Sequence, residues 1–421
     1  MVSKLTKDAF KRVTDSLLLT KEPVNVAVAV SGGRDSMALA HLLKHTLSGK
    51  TLALTVDHGD STKEATFVRD AMNRLGLDHA ILDCSWPSGQ PRFGCQQQRA
   101  REQRYDLLGR ESARRQIKYL FIGHHMNDQL ETLMYRISRA SGIDGLACMK
   151  ATSPLIGHSG ILLVRPLLSF SRTSITEYCL ESGVQWIDDP SNVNSNYRRV
   201  AIRRVLNEFP DALQLHSLVN VFSQAQKTLS IKIALAYDDA VAVDSSYGFA
   251  TVNIAKLAAL EKPMRIRLLS QTIQRVSGSP YAPPLASLIN VDFTKGTSIA
   301  GCLLSPKNNN LLIARQARSN SHQLLRVDSQ TGNVKWDRRF VISWKNQITS
   351  DHRFYVRHMR KSDLAVCSRD IKRIPHLCRQ GLPVICDVMT DAVVSIPHAG
   401  YKDPGWKRIH WTASFCPRSE T

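Results

Sequence analysis

The sequence predicts an α/β protein built on a doubly wound parallel sheet, followed by a mainly helical segment and a small strand-rich module. Residues 24–30 form a β-branched apolar run, as expected of a parallel strand that is buried on both faces. Strand-like and helix-like segments then alternate to about residue 190. Polar residues follow several of these strands, at the sheet edge where doubly wound proteins bind ligands.

Apolar periodicity gives the order of the elements. After the first strand, we expect helix 36–43, strand 51–56, helix 63–75, strand 79–83, helix 96–115 and strand 118–123. Further along we expect helices over 211–242 and 264–276, a hairpin over 296–315, and strands from about 335. The expected domains are therefore residues 1–211, 212–334 and 335–421.

The composition indicates a globular protein with a polyanionic partner. The 421 residues suffice for two or three domains, and no apolar run approaches the length of a membrane span. A net charge of +20 and a pI near 9.8 favour nucleic acid as the partner. The alternative is an organellar or ribosome-associated protein that is merely basic.

The cysteines and the N-terminus bear on the compartment. The nine cysteines are scattered without metal-ligand spacing, which favours a reducing compartment and predicts no zinc or iron–sulfur site. Residues 3–19 form a basic amphipathic pattern that suits either a helix of the fold or a mitochondrial presequence, although Asp8 and Asp15 oppose the latter. We expect a mitochondrial location, with the cytoplasm as the alternative.

Residues 31–36, Ser-Gly-Gly-Arg-Asp-Ser, join the first strand to the next helix. The two glycines allow a sharp turn, and free amide groups at the helix N-terminus form an anion-binding cup with the two serine hydroxyls. Asp35 suits a phosphate site only if a divalent cation bridges the two anions. The motif therefore predicts a nucleotide polyphosphate with Mg²⁺, the alternative being an ordinary glycine turn.

The second informative stretch is residues 123–132, after the strand at 118–123. The following helix is expected to bury the stripe Leu130, Leu133, Met134 and Ile137. Asp128 and Glu131 then share the opposite face, next to two histidines. These groups can bind a cation, orient an amine or accept its proton. The alternative is a solvated helix face with an N-cap residue.

Three basic clusters predict phosphate contacts. Residues 91–120 contain eight Lys and Arg against three acids, and further clusters occupy 197–204 and 357–373. Solvated faces explain many such runs, but three of them in a basic protein favour contacts with a nucleic-acid backbone. Because no RNA-recognition motif accompanies them, shape and backbone should dominate recognition.

Seven motifs now occur in a fixed order: residues 31–36, 56–59, 101–105, 123–132, 139–146, 165–168 and 186–192. Together they resemble the tRNA(Ile)-lysidine synthetases, PP-loop enzymes of the N-type ATP pyrophosphatase superfamily. The resemblance is strong over residues 24–206, weak in the C-terminal module and only general over 207–340.

The resemblance implies a two-step ligation. ATP adenylates the C2 oxygen of the wobble cytidine in a CAU-anticodon tRNA(Ile), with release of pyrophosphate, and free L-lysine then displaces AMP. The product, lysidine, reads AUA. The implied cofactors are ATP and Mg²⁺, and the implied partners are the tRNA and lysine, with no membrane. We add a homodimer as an expectation.

The resemblance also assigns residues. The expected catalytic residues are Asp35, His124, Asp128 and Glu131. The expected ATP-binding residues are Ser31, Gly32, Gly33, Arg34, Asp35, Ser36 and Asp57, with Asp35 reaching Mg²⁺ through the phosphates. The expected RNA-binding residues are Arg101, Arg104, Arg139, Arg198, Arg199, Arg203 and Arg204. The division of roles among His124, Asp128 and Glu131, which should hold and deprotonate the amine of lysine, is a hypothesis.

Three departures from the family pattern matter. A Leu-Arg pair is here Asp60-Ser61, so a basic residue is missing unless Lys63 replaces it. Ala140 replaces a glycine, and Asn127 replaces an aspartate and is given no acid–base role. Two alternatives remain: a PP-loop tRNA thiolase, which needs paired cysteines or iron–sulfur ligands, and a non-catalytic RNA-binding relative.

Overall fold

The computed structural model divides the chain into two compact units, residues 1–227 and 228–420. It describes residues 4–20, 22–57, 62–84, 96–158, 160–188, 198–208, 212–279, 281–317, 323–327, 331–346, 352–367 and 369–416. The motif residues 58–59 and 189–192, the departures at 60–61 and the side chain of Lys63 lie outside this description. The predicted boundaries at 211 and 334 stay predictions, because compact units need not coincide with segments that bind separate ligands.

The first unit contains the predicted sheet. Its strands are β1 (Val26–Ala29), β2 (Thr51–Asp57), β3 (Asp78–Asp83), β4 (Tyr119–Phe121), β5 (Thr152–Pro154) and β6 (Leu162–Val164). The spatial order is β3-β2-β1-β4-β6-β5. The pairs along β3-β2-β1-β4-β6 are parallel, and β5 is antiparallel to β6. The predicted doubly wound sheet is thus confirmed.

Helices cover both faces of this sheet. They are α1 (Lys7–Leu17), α2 (Arg34–Thr46), α3 (Thr62–Leu75), α4 (Gln96–Arg114), α5 (Met126–Ile137), α6 (Ile143–Leu146), α7 (Arg172–Glu181) and α8 (Arg198–Glu208). Val28 packs with α1, α2 and α7 on one face, and Ala27 packs with Leu108 of α4 on the other. Both faces of β1 are therefore buried, which is why its sequence is continuously apolar.

The second unit combines helices with three antiparallel sheets. The helix α9 (His216–Ala240) contains the division between the units, and α10 (Ile254–Ala259), α11 (Lys262–Ser277), α12 (Leu285–Ile289), α13 (Arg369–Arg373) and α14 (His376–Arg379) follow. Within the described part of the chain, no helix has the length and apolar character needed to cross a membrane.

The first sheet of this unit has the order β7-β8-β11-β10-β9. Its strands are β7 (Val241–Asp244), β8 (Phe249–Asn253), β9 (Thr297–Ile299), β10 (Cys302–Lys307) and β11 (Asn310–Arg315). The predicted hairpin is confirmed as β10 and β11, joined at Asn308 and Asn309, which both have positive φ. Sequence analysis identifies this hairpin but not the sheet around it.

The remaining strands form the C-terminal module. One sheet has the order β12-β15-β16-β17-β18, and a three-stranded sheet has the order β13-β14-β19. The strands are β12 (Gln323–Val327), β13 (Thr331–Trp336), β14 (Phe340–Asn346), β15 (His352–His358), β16 (Pro383–Asp387), β17 (Val393–Ile396), β18 (Tyr401–Lys402) and β19 (Ile409–Phe415). The predicted strand-rich C-terminal segment is confirmed.

A buried charge cluster joins these sheets. Arg315 and Arg339 both pair with Asp337, at 2.7 Å and 3.0 Å between nitrogen and oxygen. The Arg339 side chain is fully buried. It also donates hydrogen bonds to the carbonyl oxygens of Gly248, Val276 and Gly381. One guanidinium thus links the first sheet, the end of α11 and the C-terminal module.

Replacing Asp337 with alanine should strongly destabilise the second unit. The change leaves two buried guanidinium groups without their carboxylate, and removing one partner of a buried ion pair typically costs about 3–5 kcal/mol. Urea denaturation followed by tryptophan fluorescence measures the loss. The control is Asp292→Ala, because Asp292 pairs with the exposed Lys295 at 3.8 Å. Equal denaturation midpoints for the two variants would contradict this account.

Candidate active site

The turn between β1 and α2 is closed by its own serine. Gly32 has φ +83°, a conformation that favours glycine, and a Cβ there would lie 3.2 Å from Val68. The amide of Ser31 donates to Ser36 Oγ at 3.1 Å, and that hydroxyl donates to the carbonyl of Gly33 at 2.8 Å. The Ser36 hydroxyl therefore stabilises the turn through two hydrogen bonds. It also lies beside the predicted anion-binding site.

The helix that follows begins with an uncapped N-terminus. Gly33 is the N-cap of α2 and provides no side-chain hydrogen bond to the first turn. The first amide groups of α2 can therefore bind an anion, and the helix dipole favours negative charge at this end. The strand–turn–helix predicted from residues 31–36 is thus present.

Asp35, in the first turn of α2, is held by the side chains of Arg34 and His125. Arg34 donates to Oδ1 of Asp35 through two nitrogens, each at 3.1 Å, and Nε2 of His125 lies 3.5 Å from Oδ2. Burial alone would raise the pKa of Asp35, but His125 and Arg34 outweigh it and lower that pKa below its usual value. The carboxylate is therefore ionised at neutral pH.

His125 joins Asp35 to the start of α5. Its Nδ1 accepts a hydrogen bond from the amide of Asn127 at 3.2 Å, so Nε2 carries a proton and faces the carboxylates of Asp35 and Asp128. Its own amide donates to Asp128 Oδ2 at 2.9 Å. Burial lowers the pKa of His125, but the hydrogen bond to Asp35 and the charge of Asp128 raise it overall.

His125 was not predicted to have a role. Of the two adjacent histidines, only His124 was predicted to be catalytic. The available signal was the spacing, because a residue with an acid three positions later can form a capping box. His125 does form one with Asp128, although histidine is not among the preferred N-cap residues.

A cleft of about 470 Å³ opens at the carboxyl edge of the sheet. Eight of the predicted site residues line it: Ser31, Gly33, Asp35, Ser36, Asp57, Arg101, Arg104 and His124. The apolar lining comes from Ala29, Leu54, Val56 and Ile122 of the strands and from Leu108 of α4. Glu64 of α3 and Tyr105 of α4 also line it and were missed, since neither belongs to a strand end. The cleft can accommodate a flat ring beside an anion-binding turn.

His124 follows β4 and stands in this cleft as a neutral imidazole. Burial lowers its pKa to about 4, and its Nδ1 has no hydrogen-bond partner among the described residues. The preceding Gly123 leaves little room for a side chain, because a Cβ would lie 3.1 Å from the backbone of Asp35. The end of β4 therefore lies directly against the first turn of α2.

Glu131 does not lie on a solvated face, which argues against the alternative interpretation of this stretch. The residue is 6% exposed, and its carboxylate accepts a hydrogen bond from Nε of Arg203 at 2.5 Å. The reason is that α8 packs against α5 and brings Arg203 to Glu131. The expected burial of Ile137 is also wrong: the residue is half exposed at the last turn of α5.

Comparison with known proteins identifies the family. A PP-loop domain model matches residues 5–209. The tRNA(Ile)-lysidine synthase of Wolbachia pipientis wMel is 34% identical over 340 residues, which cover 75% of this chain and 76% of that protein. The chain belongs to the tRNA(Ile)-lysidine synthase family. The enzyme of the same name from Wolbachia sp. subsp. Brugia malayi is 32% identical over 75% of this chain and 76% of its own length, and that from Rickettsia felis is 27% identical over 90% of each chain.

The comparisons confirm the resemblance found in the motifs. They give no support to a mitochondrial location, because these tRNA(Ile)-lysidine synthases come from bacteria. The compartment therefore stays a prediction.

The remaining predicted arginines fall into three groups. Arg101 and Arg139 each lie over a tyrosine ring, at 5.0 Å and 5.7 Å from the ring centroids. Arg204 is exposed on α8. The side chains of Arg198 and Arg199 lie outside the described residues. Asn127, which was given no acid–base role, accepts a hydrogen bond from the amide of Arg172 through its side-chain oxygen.

Ala140, where the tRNA(Ile)-lysidine synthase pattern has glycine, adopts a left-handed backbone. Its φ is +47° and its side chain is exposed. This conformation costs a residue with a Cβ about 1–2 kcal/mol, which explains the glycine of the family.

Ala140→Gly should therefore stabilise the protein by about 1 kcal/mol, because the relief of strain exceeds the extra flexibility of the unfolded chain. The change in unfolding midpoint measures it. Ala234→Gly provides the opposite control, since Ala234 is exposed in the interior of α9 and glycine there destabilises a helix by about 1 kcal/mol. A shift of the same sign in both variants would argue against strain at Ala140.

His125→Ala should weaken binding of MgATP about 10- to 100-fold, the usual effect of losing a residue that orients a ligand-binding carboxylate. The pKa of Asp35 should rise in the variant, because the largest favourable contribution to its ionised form is lost. Isothermal titration calorimetry at pH 6 and pH 8 tests both points, since the defect should be larger at the lower pH. His45→Ala, exposed on α2, is the matched control. A His125→Ala variant that binds MgATP with the affinity of the wild-type protein would show that His125 does not contribute to the ATP site.

Proposed function

We propose that this chain is an ATP-dependent ligase that joins L-lysine to C2 of the wobble cytidine in a CAU-anticodon tRNA(Ile), forming a carbon–nitrogen bond. The observation that carries this proposal is the contact of Asp35 with His125, which lies 3.7 Å from Asp128. This contact brings the anion-binding turn and the carboxylates of Asp35 and Asp128 together at one edge of the sheet. Such a site can activate an oxygen with ATP and hold an amine nearby. The names of the relatives support the same reaction.

In the first step, ATP lies in the cleft. The adenine ring fits against the apolar strand ends Val56 and Ile122, and the phosphates lie at the N-terminus of α2. The C2 oxygen of the cytidine attacks the α-phosphorus. The bond from this phosphorus to the bridging oxygen breaks, and pyrophosphate leaves with the electron pair. The amide groups of the turn and the start of α2 stabilise the charge that develops on pyrophosphate.

The cleft also suits a magnesium ion. Asp35 is ionised, lines the cleft and lies beside the phosphate turn, and carboxylate oxygens are ligands that Mg²⁺ uses together with substrate phosphates. The bound ion would neutralise phosphate charge. The Arg34 and His125 contacts keep the Asp35 carboxylate oriented towards that position.

In the second step, the ε-amine of lysine attacks C2 of the adenylated cytidine, and the bond from C2 to the oxygen of AMP breaks. Free lysine carries an ammonium group, which Asp128 and Glu131 hold. His124 then accepts its proton. The imidazole has a pKa of about 4 in the substrate-free protein, and the phosphate of the adenylated cytidine raises it, since a nearby anion favours the imidazolium.

The basic residues complete the proposal. Arg101, Arg104, Arg139 and Arg204 contact the tRNA, whereas Arg203, paired with Glu131, acts inside the reaction site. The homodimer and the mitochondrial location stay predictions that accompany this function.

The decisive assay combines the protein with ATP, Mg²⁺, labelled lysine and unmodified CAU-anticodon tRNA(Ile). Lysine should enter the tRNA at the wobble cytidine and AMP should accumulate. Asp35→Ala should reduce both signals about 100-fold or more, because a phosphate-site carboxylate is lost. The control is Asp15→Ala, because Asp15 forms only an exposed ion pair with Lys11.

Each alternative gives a distinct result. AMP without lysine incorporation indicates a different nucleophile, such as sulfur in a thiolase. Neither signal indicates an RNA-binding relative without activity. Full activity in the alanine variants of all three residues His124, Asp128 and Glu131 would refute their assigned roles.

A further inference from the structure

One side of α5 carries a row of polar side chains that extends beyond the catalytic carboxylates. Asp128, Glu131, Tyr135 and Arg139 are spaced by three, four and four residues. The first three lie along one side of α5, because residues three and four apart are neighbours on a helix, and Arg139 follows two residues after the helix ends at Ile137. Tyr135 is seven residues beyond Asp128, which corresponds to about 10 Å along the helix axis. The row therefore begins at the reaction site and ends at the surface.

Tyr135 and Arg139 form a single unit at the outer end of this row. A terminal nitrogen of Arg139 donates to the Tyr135 hydroxyl at 3.1 Å, and its guanidinium carbon lies 5.7 Å from the ring centroid. Tyr135 is partly exposed and Arg139 is exposed. A partly exposed aromatic ring is thus combined with a planar cation.

The backbone beneath this pair is well fixed. Arg139 donates its amide hydrogen to the carbonyl of Arg136 at 3.2 Å, and Ser141 donates to the same carbonyl at 3.0 Å. The left-handed residue Ala140 lies between them and turns the chain. The turn then packs tightly, because a Cβ on Gly145 would lie 2.8 Å from Ser141. Arg139 therefore projects from a closed turn that directly follows α5.

We propose that Tyr135 and Arg139 are a stacking platform for the nucleobase next to the wobble cytidine, namely the adenine on its 3′ side in the CAU anticodon. This inference rests on the proposed function. Unpaired bases stack on tyrosine rings and on arginine guanidinium planes, and this stacking does not depend on which base is present. A base held there is separated from the wobble cytidine, which is then free to enter the site beside Asp128 and Glu131.

The other arginine–tyrosine pair of this unit differs in its surroundings. Arg101 and Tyr105 line the cleft against the apolar strand ends, so they face the nucleotide. Tyr135 and Arg139 lie at the surface end of α5, beyond the carboxylates. Ordinary stabilisation of the helix by a tyrosine–arginine pair is the competing explanation, and it predicts no effect on RNA.

The test uses an anticodon stem-loop RNA in which 2-aminopurine replaces the adenine of CAU. Stacking on an aromatic ring quenches the emission of 2-aminopurine, so binding to the wild-type protein should decrease it. Tyr135→Leu should abolish the quench and weaken binding about 5- to 150-fold, the range reported for the loss of one stacked base. Tyr135→Phe is the matched control, because it keeps the ring and loses only the hydroxyl that accepts from Arg139. It should retain the quench.

Kinetics on full-length tRNA separate this role from a structural one. Tyr135→Leu should raise KM for the tRNA and leave KM for ATP unchanged, whereas a general loss of structure would affect both. The absence of a quench with the wild-type protein would overturn the proposed stacking platform. So would a Tyr135→Leu variant whose quench and KM for tRNA are both unchanged. Quenching by a wild-type protein that incorporates no lysine would refute the proposed function and leave the platform in place.

Discussion

The contact between Asp35 and His125 brings together the first turns of two helices that start from neighbouring strands. Asp35 belongs to α2, which follows β1, and His125 caps α5, which follows β4. Gly123 allows this approach, since any side chain there would meet the backbone of Asp35. The contact holds a carboxylate that both helix dipoles favour. This contact between Asp35 and His125 fixes the position of the phosphate-binding turn relative to the polar residues of α5.

The sheet could be predicted because its signals are local. An apolar run, a pair of glycines and a return to helical periodicity are all contained in residues 24–43. The partners of α5 could not be predicted in this way. Leu130 correctly indicates one buried face, but the burial of Glu131 depends on α8, more than sixty residues further along the chain. His125 was missed for a related reason, since capping depends on backbone geometry as well as residue type.

In the second unit, the number of basic residues in a segment did not indicate which of them are available to bind phosphate. The basic run at 357–373 was interpreted as a phosphate-binding cluster, yet Arg357 is buried and pairs with Asp363 at 2.7 Å. Arg315 and Arg339 are internal as well. A sequence shows how many cations a segment has, but not which of them neutralise an internal carboxylate. The sheet around β10 and β11 was missed because β8 pairs with β11 from more than fifty residues earlier in the chain, and no local turn signal indicates such a pairing.

The hydrogen bonds of Arg339 also set an order of events during synthesis on the ribosome. Its partners at Gly248 and Val276 are translated before it, but the carbonyl of Gly381 follows forty-two residues later. Until that carbonyl emerges from the exit tunnel, the guanidinium lacks one of its three carbonyl acceptors, and burying the unpaired N–H group is penalised. The interior of the second unit around Arg339 can therefore be completed only after the ribosome has synthesised the chain past Gly381.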